Sequence, residues 1–556
     1  MNSHTSSPQY THSFDRSANL EIQRSKFDIS FGHKSTLDSG YLVPLFIKEA
    51  LPGDSWKLNA KQLCRMTTPI VPFMDNVRCS WFFFSIPKRL VWENFEDFIT
   101  GSHKGRLGTT HTTYPTISIS RAAWLANPLY DYYGIPKPDE GYSITVNALP
   151  FRCYDLVYNE WFRDENLIDE IPINLGDCED PATFDHGLHR RGKRKDYFTG
   201  ALPFVQKGPD VSLPLGASAP VIGNGKPLGI RANIIDKGMV NSAMFYKNGA
   251  SQCDVGWNNN YNALHAGDVI NPNDPQMIKP YSNSVIGIST NKEHSGLIAD
   301  LSDATAATIN SLREAFAVQH LLERDARGGT RYVESLLSHF GVTSPDFRLQ
   351  RPEYLGGGSI DFIVNAVAQT SNTDNTSPQG NLAAFARASG SVGFSTSFVE
   401  HCYVLGLCCI YSPNYTYQRA VDKMFFRSTR LDEYFPEFAH LGEQAIREKE
   451  IWCSGNPATD EQVFGYQERY AEYRYNNSLI TGKLRSDDEA TLDYWHLSQQ
   501  FTEPPSLSKD FIEENPPIKR VLAVQDEPEF VIDCWFDFTA LRPLPLFSTP
   551  GLLDHF

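Results

Sequence analysis

Apolar residues along this chain follow two different patterns, and each predicts a different kind of strand. "FVIDCWFDF" (530–538) places Phe530, Ile532, Cys534, Phe536 and Phe538 on one face, the alternation of a strand with one side covered. "FDISFGH" (27–33) repeats this more weakly through Phe27, Ile29 and Phe31. "CSWFFFSIPKRLVW" (79–92) breaks the rule. Trp81 and Phe83 point one way while Phe82, Phe84 and Ile86 point the other, so this strand calls for cover on both faces. "SIDFIVNAVAQT" (359–370) and "CYVLGLCCIY" (402–411) also read as buried strands, with polar "SNTDNTSPQGN" between them as a solvent loop. "GYLVPLFIKEALPGDSWKLN" is punctuated by proline and Pro-Gly, which predicts loop or edge strand.

Helical spacing marks three stretches. In "PKRLVWENFEDFITG", Trp92, Phe95 and Ile99 line one side before a stop at Gly101, a short helix laid against the sheet. "FRCYDLVYNEWFRDENL" (151–167) predicts another through Leu156, Tyr158, Trp161 and Phe162. From Thr308 to Phe340 the positions Ile309, Leu312, Phe316, Leu321 and Leu322 keep helical spacing, "RGG" (327–329) interrupts it, and Gly341 ends it. Residues 1–25 are Ser-, His- and Gln-rich and predict a flexible N-terminal arm. Residues 218–300 are rich in Gly, Asn and Ser, with "GNG", "KNG" and "NPNDP", and predict a surface insertion. That leaves 26–217 and 301–556 as the main domain.

Composition sharpens this picture. Thirty-five Pro and 38 Gly favour many short elements joined by turns, and with a high aromatic content of 35 Phe, 25 Tyr and 9 Trp the chain leans to an all-β sandwich or barrel, many of the excess rings being expected between subunits. A net charge of −16 argues against a dedicated duplex-DNA reader and against adhesion to an anionic membrane. The ten cysteines form no C-x-x-C pair, which predicts free buried thiols in a reducing compartment. The start has no basic and apolar leader pattern, and the longest apolar run is half a membrane span, so a soluble protein made in the cytosol is expected.

Candidate chemistry is sparse. No H-E-x-x-H, P-loop, G-x-S-x-G or EF-hand pattern occurs. "GNGKPLG" (223–229) has the wrong glycine spacing for a phosphate loop and reads as a surface turn. Cys408 and Cys409, near His401, are adjacent in a strand and point to opposite faces, which suits buried thiols better than a metal. Pairs such as Glu513 with Glu514 and Asp487 with Asp488 read as solvated acidic surface. No catalytic, metal or cofactor residue is predicted, and the chain is not expected to be an enzyme. One polar cluster stands out: "HRRGKRKDYF" joins Arg190, Arg191, Lys193, Arg194 and Lys195 to Tyr197 and Phe198. Cations beside aromatic rings suit single-stranded nucleic acid. A solvated loop, or an ion-pair partner for an acidic protein, is the competing reading.

Longer phrases are more specific. "FDISFGHKSTLDSGYLVPLFIKEALPGDSWKLN", "TPIVPFMDNVRCSWFFFSIPKRLVWENF", "LPFRCYDLVYNEWFRDENL", "RGKRKDYFTGALPFVQKG", "LLERDARGGTRYVESLLSHFGVTSPDFRLQRPEYLGG", "GYQERYAEYRYN", "TLDYWHLSQQF" and "RPLPLFSTPGLLDHF" run in order through most of the chain. Together they resemble the major capsid protein of the microviruses, in the gokushovirus branch of single-stranded-DNA bacteriophages. The resemblance implies an eight-stranded antiparallel jelly-roll sandwich with long inter-strand insertions containing several short helices. It implies 60 copies in a T=1 icosahedral shell, meeting at five-, three- and two-fold contacts around circular single-stranded DNA. Implied partners are a small basic DNA-packaging protein, an internal scaffolding protein, a DNA pilot protein and a host surface receptor. The insertion at 218–300 would be a protrusion at the three-fold axes used in host attachment. The site of action would be the virion, after synthesis in the host bacterial cytoplasm. A β-sandwich adhesin or lectin, or a β-sandwich glycoside hydrolase, is the alternative class.

Overall fold

A computed structural model describes residues 23–100, 113–180, 186–211, 309–370 and 379–547, and the backbone of short strands between 221 and 299. The flexible arm expected at 1–25, the stop at Gly101 and most of the loop at 371–381 fall largely outside the described residues. Contacts divide the chain into two compact units, 1–207 with 323–556, and 208–322.

The first unit is built on two antiparallel sheets. In one, β17 (Ile363–Ala368), β18 (Leu382–Ser397), β4 (Ser55–Met66) and β22 (Phe530–Arg542) lie side by side, and β22 also pairs with β1 (Ser25–Asp28) and β2 (Phe31–Leu37). In the other, the order is β16 (Glu353–Asp361), β5 (Arg78–Pro87), β19 (Cys402–Tyr411) and β3 (Val43–Ala50). The fold is all-β, with its helices confined to the connections between strands.

The inner faces of the two sheets share one aromatic core. Phe46, Trp81 and Phe83 meet Trp56, Phe536 and Phe538, with the Phe46 and Phe536 rings 5.2 Å apart and those of Trp81 and Phe536 5.9 Å apart. Each such ring contributes about 1.5–3 kcal/mol by leaving water. The Gln62 side chain enters this core, and its oxygen accepts hydrogen bonds from the Trp81 indole and the Cys79 thiol.

The outer faces differ, and the difference explains the two sequence patterns. The six-stranded sheet is wet on its outer side. Along β22 the expected inward set, Phe530 to Phe538, is buried, while the alternate residues are exposed and carry pairs such as Lys61–Asp537 at 2.7 Å. The outer side of the four-stranded sheet is roofed. Its cover comes from the hairpin of β6 (Thr116–Ser120) and β7 (Ser143–Asn147) and the helices α1 (Phe95–Thr100), α2 (Arg121–Ala126), α3 (Leu129–Tyr132) and α4 (Leu149–Val157). Every residue of β19 is therefore buried, with Cys408 in the inter-sheet core and Cys409 under the roof. Phe82 and Phe84 are covered by the chain's own Phe162 and Trp161, at 5.1 and 5.3 Å.

Several expectations are corrected. β3, which holds Pro44, is an edge strand, one of the two outcomes expected of it, but "SWKLN" begins the central strand β4. Only Phe95–Thr100 of the 89–100 stretch is α-helical: Trp92 is buried ahead of it, and Ile99 faces water. β17 is a largely exposed edge strand, with no neighbour on its other side among the described residues. The 16-residue strand β18 carries a weak apolar signal, since three of its four buried positions are Ala384, Ala386 and Ala388 and only the fourth, Phe394, is large. Its Gly393 lies so close to β4 that a Cβ would stand 2.1 Å from the Leu58 carbonyl oxygen.

Helices α5 (Ile309–Gly328) and α6 (Tyr332–Phe340) follow the spacing read from sequence, and Gly341 closes α6 at φ 66°. Within the second unit, β8 (Val221–Gly223) pairs with β15 (Leu297–Ala299), β9 (Ile230–Ile234) with β10 (Gly238–Val240) and β14 (Ser284–Ile288), and β11 (Phe245–Tyr246) with β12 (Gln252–Cys253) and β13 (Lys279–Pro280). A third apolar cluster in the first unit gathers Tyr197, Phe198, Tyr417 and Phe511 near the hairpin of β20 (Glu443–Arg447) and β21 (Val463–Glu468).

Candidate nucleic-acid interface

Helix α4 anchors the basic cluster through a buried ionic network that the sequence reading missed. Arg152, fully buried, grips Asp180 with Nε at 3.0 Å and Nη2 at 2.6 Å, and its Nη1 donates to the carbonyls of Val91 and Gly176. His186 Nδ1 lies 2.5 Å from Asp155, and His189 Nε2 lies 3.3 Å from the other oxygen of Asp155. No sequence pattern joins residues 28 and 31 positions apart, so only the fold reveals the set.

Burial pulls the His186 pKa down, but the Asp155 and Asp180 carboxylates outweigh it and lift the pKa from 6.5 to about 9. The bound proton therefore stabilises the fold fully below about pH 6.5, and that contribution of about 3 kcal/mol is lost as pH rises through 9. The melting temperature should fall between pH 7 and pH 9.5, and His186→Gln should flatten that fall. An unchanged slope in the variant would remove His186 from the account.

From His189 the chain threads between two other segments as if it were a strand. Leu42 donates to His189, Arg191 to Gly40, Glu514 to Arg191 and Lys193 to Ile512, all at 2.7–3.0 Å. Gly40 makes this possible with φ at 82°, and a Cβ there would strike the Glu514 carbonyl.

The five cations have separate fates. The Arg190 guanidinium lies 4.1 Å from the Tyr41 ring and donates to the Glu514 carbonyl at 2.7 Å. Arg191 sits over Tyr411 at 4.5 Å and Phe82 at 5.2 Å. Lys193 is buried over Phe511 and donates to Gln499 at 3.0 Å; burial lowers its pKa and raises that of nearby Glu514. Lys195 is exposed and paired with Asp164, and the Arg194 side chain is exposed.

Two expectations change here. Tyr197 and Phe198 are buried in the third cluster, with the Tyr197 hydroxyl donating to Glu450 at 2.7 Å, so neither presents a ring for stacking. Glu514, read as solvated, is 1% exposed and receives the Tyr415 hydroxyl. The chain's acidic balance hid a carboxylate that the basic segment itself covers.

Other aromatic rings stand beside these cations. After α4 the helix widens into a π-turn, Tyr158–Phe162, closed by Arg163 N to Tyr158 O at 2.9 Å. A cavity of about 420 Å³ is lined by Trp161 and Phe162 from this turn, with Phe82, Phe84 and Tyr354. Arg163, Arg191, Lys193, Arg194, Lys195 and Arg331 also line it, against one carboxylate, Asp164. Arg331 is already held by Glu165 at 2.6 Å and by Glu334 at 3.4 Å. Arg163 Nε and Arg191 Nη1 are buried with no hydrogen-bond partner among the described residues.

Among the described residues no group of three or more His, Cys, Asp or Glu side chains is placed to hold a metal ion, and no helix is long and apolar enough to cross a membrane.

Comparison with known proteins fits a role built on surfaces. The chain is 46% identical to capsid protein VP1 of Bdellovibrio phage phiMH2K, with 98% of each chain covered. It is 39% identical to capsid protein VP1 of Chlamydia phage 1 over 96% of each, and 34% identical to that of Spiroplasma virus 4 over 97% of each. Residues 17–552 match the family described as capsid protein (F protein), and the chain belongs to that family.

Proposed function

We propose that this capsid protein is the major subunit of a closed icosahedral shell, 60 copies around circular single-stranded DNA, and that it acts by assembly and not by catalysis. The observation that carries the reading is the full-length match to virion capsid proteins. The nesting of strand pairs supports a jelly roll within it. Counting β2, β3, β4, β5, β16, β18, β19 and β22 as eight, the first pairs with the eighth, the second with the seventh, the third with the sixth and the fourth with the fifth. A long hairpin rolled in this way gives two sheets of four, joined by the β22–β4 and β19–β5 pairings.

Shell formation needs surface that a lone subunit leaves apolar. Much of the aromatic excess fills the interior clusters, but Met424, Phe425, Leu431, Tyr434 and Leu441 are all at least half exposed within one stretch of chain. Exposed apolar side chains at this density invite a partner copy. Contacts that close into rings of five and three end in a finite shell. The compact unit at 208–322 contains the stretch read as an insertion, which supports its role as a separate protrusion for attachment to a host receptor. A charge of −16 repels DNA, so a small basic packaging protein supplies counter-charge, with scaffolding and pilot proteins completing the particle.

Electron microscopy of the expressed chain, alone and with the scaffolding partner, tests this. Uniform closed shells are expected. Monomers or open filaments under both conditions would contradict it.

A further inference from the structure

We propose that the cavity between the π-turn and the basic segment seats one unstacked nucleotide of single-stranded DNA, its base against an aromatic ring and its phosphate on guanidinium groups. The proposal rests on the reading of this chain as a DNA-packaging subunit and adds the place and manner of contact.

Three features of the cavity favour that occupant. Its volume, about 420 Å³, lies in the range of small-ligand sites. Its aromatic side keeps ring surface accessible: Tyr354 is 42% exposed and Phe162 is half-buried. Its polar side holds donors still without partners, Arg163 Nε and Arg191 Nη1, while Lys195 and Arg331 are already neutralised by carboxylates. In a chain with a net charge of −16, a concave site lined by six cations and one carboxylate selects an anion. Rings beside those groups select an anion that carries a flat base. A duplex keeps its bases stacked and paired, so only a single strand can offer one. An acidic peptide would satisfy the guanidinium groups and leave the rings unused.

The test measures anisotropy of labelled oligo(dT) and of an abasic oligonucleotide of equal length, each bound to the full chain across a salt series. Oligo(dT) should bind about fivefold to a hundredfold tighter than the abasic strand, the worth of one stacked base. Tyr354→Leu should remove most of that preference and leave the salt slope unchanged. Arg194→Gln, at an exposed position, should reduce the slope of log affinity against log salt by about 0.7, one phosphate contact. Equal binding of the two strands by the unaltered chain would overturn the proposal without any variant. Equal binding of polyglutamate would also overturn it, in favour of an acidic peptide. Shell formation is scored on the same samples. Shells that close without base preference refute the pocket alone, whereas loss of shells in the unaltered chain refutes the capsid reading.

Discussion

Arg152→Met should destabilise the subunit by about 3–5 kcal/mol, although methionine fills similar space and is apolar. The loss comes from what remains behind. Arg152 and Asp180 are both fully buried, and the guanidinium meets the carboxylate through two hydrogen bonds at 2.6 and 3.0 Å. Without it, the buried Asp180 carboxylate keeps only Asn174 and His186 as partners among the described residues. Arg152 also donates to Val91 and Gly176, so those carbonyls lose a partner too. Arg152→Lys keeps the charge and loses the fork, and should fall between the two. Arg152→Met combined with Asp180→Asn should recover part of the loss, because no charge is then left unpaired. Denaturant midpoints of the four proteins check this. A loss below about 1 kcal/mol in the single methionine variant would show that the network is not a stabilising tie.

The second large effect is expected at Phe536. This ring is fully buried at the centre of the inter-sheet core, 5.0 Å from Phe31, 5.2 Å from Phe46 and 5.9 Å from Trp81. Phe536→Ala removes the transfer contribution and opens a void between two sheets that cannot close independently, for a cost of about 3–5 kcal/mol. Phe536→Leu should cost less. Trp535→Ala, one residue away but on the wet face and 49% exposed, should change stability by far less. Soluble yield and denaturant midpoint for the three variants give the comparison. Equal losses at 535 and 536 would mean that the outer face of β22 is covered, contrary to the architecture described.

The contrast between neighbours 535 and 536 was legible from sequence, since alternation alone assigns them to opposite faces. The aromatic run of β5 was legible in the same way, as a strand covered twice. What covers it was not, because Trp161 and Phe162 lie some 80 residues away in a π-turn. The sequence also concealed β18, where alanine and glycine replace large side chains so that strands and rings can approach closely. At the candidate site, the residue types of the basic cluster were visible but their directions were not. Arg190, Arg191 and Lys193 turn toward Tyr41, Tyr411 and Phe511, rings brought in from three distant segments. Tyr197 and Phe198, adjacent in sequence, turn inward, and the rings that line the cavity come from elsewhere. Long-range pairing sets all of these orientations, and composition carries no record of it.

The central claim is a closed shell of fixed copy number, and the mass of the assembled particle tests it most directly. Charge-detection mass spectrometry of purified empty shells should give a single species near 3.8 MDa, sixty subunits of 62.6 kDa. A broad distribution of masses, or a dominant species at another multiple of the subunit, would contradict it.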